Sequence, residues 1–173
     1  MSYFQLEEDM RRQLVKWLTN NGFAVKEGVY VKRIELDVVA IGNLQLTKSG
    51  VKQVSDRLTY SFETKIATTY KLLRDVIEQA IVRLPLVDYV YIVVPKEADE
   101  VWIDEKTKER IEPSAIAIKI ASGTYSSKIG IIAMEPGKPV EVVREAQKSS
   151  LVIPELRDRI IQSVMGGKHR RLL

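Results

Sequence analysis

Tyr60-Ser61-Phe62-Glu63-Thr64-Lys65-Ile66 is a largely apolar run that carries an acid and an amine two residues apart. Side chains alternate along a strand, so Tyr60, Phe62, Thr64 and Ile66 take one face and Ser61, Glu63 and Lys65 the other. The acid and the amine therefore point the same way from the middle of a sheet. Downstream, Leu72, Leu73, Val76, Ile77, Ala80, Ile81 and Leu84 recur at helical spacing, and Pro85 ends that helix because proline cannot continue a helix interior. Residues 89–94 then read as a buried strand stopped by Pro95. A helix between two apolar strands is the βαβ pattern, which favours a mixed sheet with a covering helix.

Upstream, Leu6, Met10, Leu14, Trp17 and Leu18 predict an opening helix, stopped by Asn20-Asn21-Gly22. Glu7, Glu8 and Asp9 stand near its start, where acids complement the helix dipole. Residues 29–41 are rich in β-branched side chains and read as one long strand or two short ones. Ser49-Gly50 marks a hairpin turn between 44–48 and 51–54. After a charged segment at 96–113, residues 115–120 and 129–134 read as two strands, or as a strand and a short helix. Pro136-Gly137 turns the chain into a strand at 140–144, and Pro154 opens a last helix with Leu156, Ile160, Ile161 and Val164 on its apolar side. The expectation is one domain over residues 1–165, followed by a mobile basic tail at 166–173.

Composition narrows the function classes. The chain has 173 residues, 45% apolar and 29% charged, which is ordinary for a single globular domain. Its formal net charge of +4 is compatible with a polyanionic partner. With no cysteine there is no disulfide scaffold, cysteine nucleophile or thiolate metal site, and the chain suits a reducing interior. The longest apolar stretches, 89–95 and 129–134, fall far short of the ~20 residues that span a bilayer. The acidic start lacks the basic, apolar pattern of a signal peptide, so a cytoplasmic location and no membrane partner are expected. No Walker loop, G-x-G-x-x-G or G-x-S-x-G motif occurs, and the single histidine, His169, lies in the basic tail. An enzyme built this way must work with carboxylates, lysines, hydroxyls or amides.

Asp37, within Glu35-Leu36-Asp37-Val38-Val39-Ala40-Ile41, is an acid that leads straight into an apolar run. A carboxylate buried there without a partner is costly. If its strand neighbours that of Glu63, the two acids converge at one end of the sheet with Lys65 beside them. Two carboxylates and nearby water are what a hard divalent cation such as Mg²⁺ or Mn²⁺ takes. Such an ion stabilises charge on a phosphoryl oxygen and acidifies water, and a lysine alongside can orient that water. The set suits hydrolysis of a phosphodiester.

Asp37, the Glu63-Thr64-Lys65 triplet and a following helix with Glu78-Gln79-Ala80 together resemble the PD-(D/E)xK nuclease superfamily, closest in pattern to archaeal Holliday junction resolvases. The resemblance covers residues 6–95, with Leu36 standing where the family pattern has a proline. It implies an α/β, restriction-endonuclease-like fold, a mixed central β-sheet flanked by helices, and metal-dependent cleavage of nucleic acid. By position, Asp37 and Glu63 would hold Mg²⁺ or Mn²⁺, with the main-chain carbonyl of Thr64 as a further ligand. Lys65 would be the catalytic lysine. The opening-helix acid would be Glu8, with Glu7 the second choice, and Gln79 would be the helix glutamine that supports the site. The expected function is a DNA nuclease, a hydrolase working as a homodimer; the alternative is a non-catalytic nucleic-acid- or protein-binding module on the same fold. Asp104-Glu105-Lys106 is a second acid-x-lysine triplet, but its charge-dense setting reads as a solvated segment. Lys168, Arg170 and Arg171 read as a basic tail or as an arm contacting phosphates, and Tyr89 and Tyr91 as core aromatics.

Overall fold

Met10, Leu14 and Leu18, four residues apart, form the buried stripe of the first helix, α1 (Glu7–Asn20). The computed structural model describes residues 4–66, 70–97, 101–102, 108–109, 112–123 and 125–170. After α1 come three strands: β1 (Ala24–Val31), β2 (Ile34–Thr47) and β3 (Gly50–Thr64). Helix α2 (Tyr70–Ile81) leads to β4 (Tyr89–Pro95) and the short pair β5 (Val101–Trp102) and β6 (Lys108–Glu109). Then follow α3 (Pro113–Ile120), β7 (Gly130–Met134), β8 (Glu141–Arg144) and α4 (Pro154–Arg170).

Six strands make one mixed sheet in the order β1-β2-β3-β4-β7-β8. β1, β2 and β3 are antiparallel neighbours, β4 lies parallel to both β3 and β7, and β8 returns antiparallel. α2 supplies the crossover from β3 to β4, and α3 lies on the crossover from β4 to β7. This is a mixed α/β fold with helices on both faces of the sheet.

Alternation along the strands creates two cores. Val39, Ile41, Val90, Ile92 and Ile131 face α2, α3 and α4. Val38, Ala40, Tyr60, Phe62 and Tyr91 face α1. The second core is aromatic: Phe62 and Tyr91 stack with centroids 5.6 Å apart, and Tyr60 meets Tyr89 edge-on at 5.1 Å. Its buried phenols are satisfied, as such groups must be. Tyr60 donates to the Leu44 carbonyl at 2.8 Å, and Tyr91 accepts the Ala146 N–H at 3.1 Å. Tyr89 and Tyr91 are therefore core residues. Burial pushes the Tyr60 hydroxyl well above its ordinary value and raises Tyr91 to about 12.

Three expectations are refined. Residues 29–41 are two strands, because the chain turns at Lys32-Arg33 with Lys32 in the left-handed region at φ 56°. Residues 115–120 belong to a helix, α3, with Pro113 in its first turn where no amide bond is lost. The backbone of α4 continues to Arg170, past the boundary expected at residue 165. Val164 and Met165 pack on the core, and a glycine beyond them weakens a helix by only ~1 kcal/mol where proline would break it. No helix among the described residues is long and apolar enough to cross a membrane.

Candidate functional site

The antiparallel ladder between β2 and β3 ends at Val38 opposite Phe62, and one step further brings Asp37 opposite Glu63. Here the strands part. β2 stays with β1, pairing Leu36 with Val29, while β3 follows β4, the Lys65 N–H donating to the Val93 carbonyl at 3.0 Å. Side chains take over where backbone pairing stops. The Asp37 N–H donates to Glu63 Oε2 at 3.4 Å, and the Thr64 N–H donates to Asp37 Oδ2 at 3.1 Å. The Thr64 hydroxyl lies 3.4 Å from that same oxygen. Each acid thus satisfies a backbone amide of the opposite strand that the fork would otherwise orphan.

Glu63 is only 3% exposed. Its other oxygen, Oε1, is paired with Arg83 Nε. Arg83 follows α2; its guanidinium also donates to the Gln79 carbonyl and, at 2.7 Å, to the Glu35 carbonyl. It thereby ties the end of α2 to both forked strands. Burial, first, and the facing Asp37 carboxylate, second, raise the Glu63 carboxyl to about 8. Arg83 pulls it down, by less than those two raise it. Near neutral pH Glu63 therefore retains its proton, the usual response of a carboxyl held out of water beside a like charge.

Asp37 is half-buried and lines a cleft of about 420 Å³ together with Glu8, Glu27 and Glu35. Arg11, Arg12 and Gly28 complete its walls. Arg12 pairs with Glu8 at 2.9 Å and Arg11 with Glu27 at 3.2 Å. Glu35 Oε2 accepts the Tyr30 hydroxyl at 2.8 Å, which raises the Tyr30 pKa. Four acids against two arginines leave the cleft acidic.

The structure brings both candidate acids of α1, Glu8 and Glu7, to this region from different sides. Glu8 shares the cleft with Asp37, whereas Glu7 Oε1 accepts the Ile66 N–H at 3.3 Å, next to Lys65. Lys65 is half-buried, and among the described residues its ammonium has no hydrogen-bond or ion-pair partner. Gln79 is exposed and connects to the site through its main-chain carbonyl, by way of Arg83. Neither Glu63 nor Lys65 lines the cleft. Among the described residues, no three aspartate, glutamate, histidine or cysteine side chains stand together at metal-holding spacing. Asp104-Glu105-Lys106 and Arg171 lie outside the described residues.

Sequence reasoning missed Arg83, Glu27 and Gly28. Arg83 carried a usable signal: a buried Glu63 demands a counter-charge, and Arg83 is the cation that follows the apolar stripe of α2, four residues after Gln79. Glu27 and Gly28 reach the cleft only through strand pairing, which leaves no local trace.

No family model matches the chain. No curated protein matches it either. Among solved structures it is similar to the SPO1766 protein of unknown function from Silicibacter pomeroyi, with a TM-score of 0.56 and 18% identity. That likeness covers 98% of this chain and 90% of the other. At such identity it shows a shared fold.

Proposed function

We propose that this protein is a metal-dependent deoxyribonuclease that hydrolyses phosphodiester bonds in DNA at the β2–β3 fork. One observation carries the reading: Asp37 and Glu63, 26 positions apart, interlock where the strands separate. Two adjacent carboxylates at a strand fork need positive charge, supplied now by a retained proton and by Arg83. A hard divalent cation answers the same need, and two carboxylate groups with a neighbouring main-chain carbonyl are the donors Mg²⁺ or Mn²⁺ prefers. The residues therefore fit such an ion, and the fold agrees with the resemblance to PD-(D/E)xK nucleases in being a mixed sheet flanked by helices.

In this reading Asp37 and Glu63 hold the ion, with the Thr64 carbonyl as a third donor. Bound there, the ion supplies neutralisation of a phosphoryl oxygen and acidification of water. Lys65, following directly on the ligand strand, orients the attacking water. Glu8 lends its charge to the cleft beside Asp37, and Arg83 yields its place on Glu63. Pairing of two chains as a homodimer would let one site address each strand of a duplex.

The Arg83–Glu63 pair favours a second reading, a binding module of the same fold that grips nucleic acid without cutting it, because Glu63 already has its cation. A cleavage assay separates the two, run with Mg²⁺, Mn²⁺ or EDTA on duplex, single-stranded, flap and four-way DNA. The nuclease reading expects EDTA-sensitive cutting that Asp37→Asn and Glu63→Gln reduce to background with the fold intact by circular dichroism. Lys65→Ala is expected to slow turnover on the order of 100-fold while metal affinity by calorimetry holds. Cutting at the wild-type rate by either acid variant overturns the assignment, and DNA binding without cutting selects the binding module.

A further inference from the structure

α1 turns a second face outward. Asp9, Arg12, Gln13, Lys16, Trp17 and Asn20 follow the spacing of one helix face. Across from them stand Gly137, Lys138 and Pro139, and the groove between measures about 540 Å³. Gln13 fixes its far wall. The Gln13 Nε2 donates to the Glu135 carbonyl at 2.8 Å and to the Lys138 carbonyl at 3.1 Å, while Oε1 accepts the Gly137 N–H at 3.0 Å. Arg12 is engaged too, with Glu8 at 2.9 Å and Asp9 at 3.6 Å. That leaves Lys16 and Lys138, whose ammonium groups have no partner among the described residues, beside the half-buried indole of Trp17.

We propose that this groove seats a single-stranded stretch of nucleic acid. An aromatic face and unpaired ammonium groups in one groove match the two things a single strand offers, an uncovered base to stack and phosphates to neutralise. A duplex keeps its base faces stacked inside and offers Trp17 nothing. The position adds a direction: Arg12 borders both this groove and the cleft that holds Asp37 and Glu8. A strand lying along α1 thus runs from Trp17 toward the β2–β3 fork. This last step rests on the nuclease reading, and the binding itself does not.

The test is binding of a single-stranded oligothymidine of about twelve nucleotides, within the site size of such grooves. It is done in EDTA on the full chain and followed by tryptophan fluorescence. Quenching is expected in the wild type and is lost in Trp17→Phe, which removes Trp17 and keeps Trp102. Trp17→Ala is expected to weaken binding about tenfold. Lys16→Gln with Lys138→Gln should lower the salt slope by about 1.4, at ~0.7 per phosphate contact on a single strand. Wild-type affinity and slope in the lysine double variant overturn the proposal, as does a blunt duplex that competes equally well. If these variants bind weakly yet nothing cuts in Mg²⁺ or Mn²⁺, the groove stands and the nuclease reading falls. Cutting of single strands unaffected by the groove variants gives the converse.

Discussion

Glu63 meets three neighbours that disagree about its charge: low-dielectric surroundings and Asp37 favour the protonated form, while Arg83 favours the ionised one. The net result, about 8 against an ordinary 4.5, fixes the sign of a pH effect. Between those values the folded chain holds a proton that the unfolded chain has released, so stability falls as pH rises through this window. The contribution is present in full below about 4.5 and gone above about 8. Denaturant midpoints measured from pH 5 to 9 should therefore decline more steeply for the wild type than for Glu63→Gln, whose amide cannot titrate. Parallel curves would mean that Glu63 is not held protonated. Arg83→Met sharpens the same argument, since it strands a buried carboxylate. Loss of one partner of a buried pair costs about 3–5 kcal/mol, and the loss should be largest above pH 8, where the wild-type Glu63 ionises beside Arg83 and the variant has no cation to offset that charge. If the fork takes a divalent cation, Mn²⁺ should restore much of that stability in thermal melts of Arg83→Met and do nothing for Arg83→Met with Glu63→Gln. No recovery in the single variant would count against a metal at this site.

At the scale of elements, the close approach of β7 to β4 gives the clearest expectation. A Cβ on Gly130 would sit 2.3 Å from the Tyr91 ring and 2.7 Å from the Ala146 nitrogen. Tyr91 cannot give way freely, because it stacks on Phe62 and its hydroxyl holds the Ala146 N–H. Gly130→Ala should therefore destabilise by about 1–3 kcal/mol or more through overpacking, read as a lower urea midpoint with an unchanged slope. A midpoint equal to the wild type would mean the sheet relaxes without strain. The elements themselves differed in how openly the sequence announced them. α1 and α2 carry apolar residues on one stripe, so spacing alone reveals them. Residues 115–120 are apolar at most positions, and periodicity cannot separate a buried helix from a strand there; Pro113 held the deciding information. The turn between β1 and β2 was hidden because Lys32 takes a positive φ itself, where a glycine or asparagine would have marked the place. At the fork, strand alternation put Asp37 and Glu63 within reach, but Arg83 enters from the end of another element and follows no local period.

What joins the whole molecule is the least legible part of all. α4 lies against β1 and β2, with Ile160 fully buried in the core beside α2. Its anchor is polar. Arg157 grips both Asp88 oxygens from Nε at 3.2 Å, and its Nη2 reaches Asp88 Oδ2 at 3.0 Å and the Arg57 carbonyl at 2.8 Å. Asp88 in turn accepts the Thr59 N–H at 2.8 Å and faces its hydroxyl at 3.0 Å, just before the β3–β4 ladder begins at Tyr60. These contacts join positions 29, 69 and 100 residues apart, and no window of sequence contains both partners. Asp88 is 5% exposed, so removing its carboxylate leaves Arg157 Nε and the Thr59 amide without their acceptor, while Arg157 Nη2 keeps the Arg57 carbonyl. Asp88→Ala should then cost about 3–5 kcal/mol, equivalent to a fall of about 10 °C in the melting temperature of a chain this size. Asp88→Asn keeps an acceptor for Thr59 and loses the charge for Arg157, so it should fall between the two. Hydrogen exchange tells where the loss is felt. If the anchor belongs to the central sheet, amides of β3 and β4 lose protection together with those of α4 in Asp88→Ala, in one cooperative step. Faster exchange confined to α4, with β3 still fully protected, would mean that the last helix is an appendage and that the fork near Glu63 keeps its shape without it.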